Sequence, residues 1–147
     1  MLCLLKIKTL NISIKRGYIA VVEGILKEKS GIIKSYLKET KTLLVYSSND
    51  SKNGKLAITK YKVLKESKKY SMLDIEIKTG RKNQIRVHMS DIDTPIVGDK
   101  KYGNKKSCFK RLMLHAYSLE IINPKTKRKM NFLCDVPKCF NDLFKED

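Results

Sequence analysis

The stretch of this 147-residue chain best equipped for chemistry is Thr79 to Met89, TGRKNQIRVHM. It gathers Arg81, Lys82, Arg86 and His88 beside Asn83 and Gln84. Cationic forks and amides at this density can grip anions, and they can read the donor and acceptor edges of nucleic-acid bases. Ile85, Met89 and Ile92 fall at i, i+4 and i+7, the spacing of a buried helical stripe, so a short helix is expected after Gly80. Arg86 lies beside that stripe, with its stem sheltered and its guanidinium aimed at a cleft. An ordinary strand, turn and basic surface helix would fit the same periodicity.

The charge balance narrows the partners. A formal net charge of +17, from 32 Lys+Arg against 15 Asp+Glu, favours a polyanion. RNA, DNA and an anionic membrane surface all qualify on charge, whereas a lysine-rich composition with no ligand would give the same total. No apolar run is long enough to span a membrane. Cys3, Cys108, Cys134 and Cys139 are irregularly spaced, and with only His88 and His115 beside them they make no strong metal set. A reducing cytoplasm is the simpler address. There is no glycine-rich phosphate loop and no serine elbow.

The elements that must position these side chains are mostly strands. Residues 1–16 are ambiguous between helix and strand. Tyr18 to Val22, YIAVV, reads as a core strand. Ile32 to Leu37 is apolar but of uncertain type, and Leu43 to Tyr46 reads as strand. Asn53-Gly54 is a hairpin signal. Leu56–Leu64 carries Ala57, Thr59, Tyr61 and Val63 on one face. It is expected to pair antiparallel with Met72–Lys78, which carries Leu73, Ile75 and Ile77. After a turn at Asp93-Thr94-Pro95, Ile96 and Val97 return to the core. Gly98 to Gly103 is a loop in which Asp99 caps a turn or holds a nearby arginine. Arg111–Ile122 and Met130–Leu133 read as strands, and a helical turn follows Pro137. The sum is one α+β domain over 1–147, a mainly antiparallel mixed sheet with short flanking helices, poorly defined over 1–14.

Four blocks in order carry a family resemblance: KRGYIAVVEG at 15–24, GKLAITKYKVL at 54–64, TGRKNQIRVHMSDIDTPIVGDKKYG at 79–103 and RLMLHAYSLEIINPKTKRKMNF at 111–132. The chain resembles the RluA-type RNA pseudouridine synthases from about Lys15 to Phe140, over the later part of their catalytic domain. The resemblance implies isomerisation of uridine to pseudouridine in rRNA or tRNA, with no cofactor and no metal. It implies a base extruded into a pocket. Tyr18 matches the tyrosine that packs on the target base, and Arg86 the arginine that pairs with an essential aspartate. Leu114 matches the apolar residue of the pocket wall, with Leu112 as the other candidate. Arg81, Lys82 and His88 would support the loop or contact the RNA backbone, and Asn83, Gln84, Lys100, Lys101 and Arg111 join them as expected RNA-binding residues. Asn83 stands where the family often has histidine, and Asp93-Thr94 where it often has Gly-His.

The family's His-Arg-Leu-Asp block does not occur in the sequence. The expectation is therefore a truncated domain with a partial pseudouridine synthase fold. It would lack the catalytic aspartate, leave Arg86 without its acidic partner and be inactive alone. A non-catalytic RNA-binding module, or one piece of a split enzyme completed by a second polypeptide carrying the missing block, are the alternatives. Structured RNA is the expected partner, with no membrane.

Overall fold

The computed structural model describes residues 14–145. The readings made for residues 1–13, Cys3 among them, lie outside the described residues. Among the described residues seven strands form one sheet: β1 (Ile14–Glu23), β2 (Ser30–Glu39), β3 (Val45–Ser48), β4 (Lys55–Glu66), β5 (Tyr70–Ile77), β6 (Leu114–Ile122) and β7 (Lys129–Leu133), and two short helices accompany them, α1 (Gln84–Asp91) and α2 (Lys138–Asp142). The strand order is β3-β2-β4-β5-β1-β6-β7, and every pairing is antiparallel.

β1 lies between β5 and β6 and is buried on both faces from Ile19 to Val22. That position explains why YIAVV reads as an unbroken apolar run and not as an alternation. The expected pairing of the two long central strands is present, with Thr59 opposite Ile77 and Tyr61 opposite Ile75. Ile85 and Met89 of α1 join Leu73, Ile75, Ile96, Val97 and Phe140 in the core. The uncertain segment around Ile32 is a full strand, β2. The expected strand at Leu43–Tyr46 begins later, at Val45. Leu43 itself takes φ 62°, outside strand geometry.

The Asn53-Gly54 signal needs correction. β3 and β4 are consecutive in sequence but are not neighbours; β2 lies between them and pairs with both. The turn, closed by Gly54 N–H donating to Asp50 O at 3.1 Å, therefore carries the chain past a strand instead of folding a hairpin.

Beyond α1, Ile96 and Val97 are fastened to β1. Val97 N–H donates to Val21 O, and Met113 N–H donates to Val97 O, both at 2.9 Å. The loop that follows is thus attached to the central strand at its first residues. Gly98 has φ 80°, and a Cβ there would stand 2.0 Å from the Arg111 carbonyl oxygen, so glycine is required at the turn into Asp99. No helix among the described residues is long and apolar enough to cross a membrane; this says nothing of a strand-built barrel.

Candidate functional site

Tyr18 of β1, Ile77 at the end of β5, Arg81, Asn83, Gln84, Ile85 and Arg86 of the turn and α1, and Leu114 of β6 line one open pocket of about 210 Å³. Strand alternation and the register around β1 bring these distant residues to one face. All three residues expected at the centre of the site, Tyr18, Arg86 and Leu114, meet here. So do Arg81, Asn83 and Gln84.

Arg86 is the charged centre of the pocket. Its Nε donates to Asp99 Oδ2 and its Nη2 to Asp99 Oδ1, both at 2.8 Å, and its side chain is 23% exposed against 1% for Asp99. Nη1 donates to Asn83 Oδ1 at 3.3 Å, and the guanidinium lies 5.0 Å from the centre of the Tyr102 ring. The Asp99 carboxylate also accepts N–H bonds from Lys101 and Tyr102, each at 3.0 Å. Burial pushes the Asp99 carboxyl up; the Arg86 and backbone hydrogen bonds outweigh it and leave the group below the ordinary carboxylate range. The hydrogen bond to Asp99 raises Arg86 against the opposing effect of its own burial. The expectation of an Arg86 with no acidic partner is corrected: Asp99 fills that place. Asp74 and Asp91 are also engaged, accepting from Tyr117 Oη and Ser47 Oγ.

Asn83 takes φ 54°, a conformation asparagine tolerates, and does not cap α1 through its side chain. Its amide nitrogen instead donates to Tyr102 Oη at 3.1 Å, so the residue braces both Arg86 and the ring beneath it.

Gln84 and His88 are buried, one turn apart on α1. Gln84 Oε1 accepts from Arg81 N–H (3.1 Å) and from Thr79 Oγ1 (2.7 Å), which fixes the orientation of its amide. Its Nε2 then donates to Ile58 O and to Thr59 Oγ1. Ser47 Oγ spends its single proton on the Asp91 carboxylate, so Ser35 Oγ, 3.0 Å away, donates to Ser47 and accepts from His88 Nε2–H at 2.9 Å. In the neutral ring Nδ1 then accepts from Thr59 Oγ1 at 2.8 Å, which makes a one-directional chain from the pocket turn to a surface carboxylate. Burial lowers the His88 pKa, against a smaller opposing pull from Asp91. His88 is 0% exposed, so it presents no atom to RNA and instead supports the wall from within.

The remaining expected RNA contacts scatter. Lys82 is ion-paired with Glu39. Arg81 Nε donates to Leu56 O at 2.9 Å. Lys101 donates to Leu43 O and lies 5.4 Å from the centre of the Tyr102 ring. Arg111 sits 5.4 Å from the centre of the Phe140 ring, and Lys100 is exposed. None of Lys82, Lys100, Lys101 and Arg111 lines the Tyr18 pocket.

A family model described as RNA pseudouridylate synthase matches residues 6–91. A Helicobacter pylori protein described as an uncharacterized RNA pseudouridine synthase is 42% identical over 112 residues, covering 75% of this chain and 45% of its own length. The ribosomal large subunit pseudouridine synthase D of Borreliella burgdorferi is 38% identical over 136 residues, covering 88% of this chain and 41% of its own. The chain thus spans less than half the length of these curated relatives. Two human structures share the fold. RNA pseudouridylate synthase domain containing 1 has TM-score 0.73 at 20% identity, over 98% of this chain and 70% of its own. RNA pseudouridylate synthase domain containing 4 has TM-score 0.72 at 22% identity, over 95% of this chain and 64% of its own.

These matches correct the expectation of a likeness to only part of the fold, because it runs along nearly all of this chain through one continuous sheet. The expectation of a site lacking its aspartate is corrected with it, since carboxylates stand within the hydrogen-bonded network, with Asp99 on Arg86 itself. With the family model matching more than half of its residues, the chain belongs to the RNA pseudouridylate synthase family.

Proposed function

We propose that the protein isomerises uridine to pseudouridine in a structured RNA, rRNA or tRNA, in the cytoplasm, and that the target base enters the pocket of Tyr18, Arg86 and Leu114. The observation that carries this reading is the fixed Arg86 fork. A buried carboxylate takes its Nε and Nη2 while the side chain remains partly exposed beside an aromatic ring and an apolar wall. A cation held this firmly needs no rearrangement when negative charge gathers at the reacting centre.

The reaction breaks the bond between C1′ of the ribose and N1 of the base, turns the base and joins C1′ to C5. The proton on C5 is released and N1 takes one up, so no co-reactant is consumed. Tyr18 supplies a plane for the uracil to stack on. Leu114, Ile77 and Ile85 exclude water, and Arg86 steadies charge on the nucleotide. Asp99 acts through Arg86 and is a positioning residue.

The test is release of tritium from RNA labelled at the uridine C5, using rRNA and tRNA transcripts with the purified protein. Release that depends on Arg86 and Tyr18 is expected. RNA binding without any release from either transcript sinks the proposal.

A further inference from the structure

Arg16 stands two residues before Tyr18 on β1 and, by strand alternation, on the same face; it is paired with Ile77, which lines the Tyr18 pocket. Its guanidinium lies over Gly80. A Cβ on Gly80 would come within 2.2 Å of Arg16 Nη1, so the turn leaves open the space that the arginine fills. Among the described residues Arg16 has no ion-pair partner and no side-chain hydrogen bond, although it is only half exposed.

Arg81 follows Gly80 and lines two pockets. One holds Tyr18 and Arg86; the other, of about 240 Å³, lies between β2 and the 79–82 turn and includes Lys38, Lys55 and Lys82. The acids near this second pocket are already committed, Glu39 to Lys82 and Asp50 to Lys38. Lys55 has no ion-pair partner among the described residues, and Arg81 uses only Nε on the protein. Positive charge is thus left over along a path from one pocket to the other, with a side-chain-free turn in the middle.

We propose that Arg16 and Arg81, flanking Gly80, hold a phosphodiester next to the nucleotide in the Tyr18 pocket and lead the same RNA strand into the pocket of Lys38 and Lys55. A planar fork at each side suits a phosphate, and a bare glycine lets the backbone approach. The proposal rests on the reading of the Tyr18 pocket as the uridine site. It adds a polarity: one of the two linkages flanking the target is gripped and the other is not.

The experiment measures binding of a hairpin RNA with a single uridine in its loop, at several salt concentrations, to the wild-type protein and to Arg16→Gln, Arg16→Lys and Lys127→Gln. A neutral methylphosphonate then replaces the linkage on either side of the target uridine. Loss of one single-strand phosphate contact lowers the salt slope by about 0.7. Arg16→Gln is expected to show that drop and to bind about tenfold more weakly. Arg16→Lys should keep the slope and lose part of the affinity, and Lys127→Gln, on the distant β6–β7 turn, should change little. One methylphosphonate, and not the other, should weaken the wild type, and it should weaken Arg16→Gln, which keeps only the Arg81 contact, by less. An unchanged slope in Arg16→Gln, or equal effects of both methylphosphonates, overturns the proposal even where uridine is isomerised. Binding with the expected slopes but no tritium release overturns the isomerase reading alone, and failure of the wild type to bind the hairpin overturns both.

Discussion

Arg86 and Asp99 meet through two parallel hydrogen bonds of 2.8 Å, Nε to Oδ2 and Nη2 to Oδ1, across a loop that begins bonded to the central strand. Removing one side strands the other in a half-buried setting. Asp99→Asn is expected to cost about 3 kcal/mol of stability. Arg86→Lys keeps the charge but loses the fork and is expected to cost about 1.5 kcal/mol. Urea midpoints with an unchanged m-value check both. Because the folded Asp99 pKa lies below its ordinary 3.8, the contribution is present above that value and is lost as pH falls through the lower folded one.

His88 predicts a different pH window. Its folded pKa is depressed below 6.5, so its neutral form is favoured by folding. The stability it contributes is fully present above 6.5 and declines as pH falls from there towards the lower folded value. The wild type should therefore lose stability as the pH falls below 6.5, and His88→Gln should show a flatter curve over the same range. A wild-type curve with no slope there contradicts a His88 kept neutral by burial.

Tyr18 separates stability from activity. Its hydroxyl makes no hydrogen bond among the described residues, so Tyr18→Phe should change stability by no more than about 0.5 kcal/mol. If the hydroxyl takes part in proton transfer on the bound base, tritium release should fall by about 100-fold. Tyr18→Ala, which also removes the stacking plane, should lose RNA affinity as well.

Two glycines should respond in opposite ways to alanine. At Gly98 the added Cβ meets backbone at 2.0 Å and the residue has φ 80°; Gly98→Ala is expected to cost about 3 kcal/mol and disturb the Asp99 loop. At Gly80 the obstacle is the movable end of Arg16. Gly80→Ala should leave the melting temperature nearly unchanged and weaken RNA binding by displacing that guanidinium.

Local patterns made much of this legible. The Ile85–Met89 stripe and the Leu73–Ile75–Ile77 alternation each report one buried face, and the structure buries both. The passage of the β3–β4 connection across β2 is not legible, because turn residues describe a bend and not the strand that comes to lie beside it. Nor was the Arg86–Asp99 pair fixed by sequence: Asp99 was legible as a cap or an arginine partner, and only the loop's attachment to β1 decides that it is both. His88 was grouped with the surface cations, although Gln84 and His88 at i and i+4 could have signalled a buried polar face on α1. Arg16 lies outside the dense cluster of residues 79–89, yet strand periodicity alone sets it beside Tyr18.

The two margins of the sheet are held unequally. β3 is outermost on one side, yet Val45 N–H donates to Tyr102 Oη at 3.1 Å and Ser47 reaches Asp91, so side chains from behind the sheet secure it. Among the described residues β7 has β6 as its only sheet neighbour, every residue of it is exposed, and Leu133 is 79% exposed. Transient local opening should therefore start at β7. Amide hydrogens of Lys129–Leu133 should exchange with deuterium well before those of β1 and β5. The apolar Met130, Phe132 and Leu133 would then make that side the first to recruit another chain when the protein is concentrated, giving a molecule with one durable flank and one that frays.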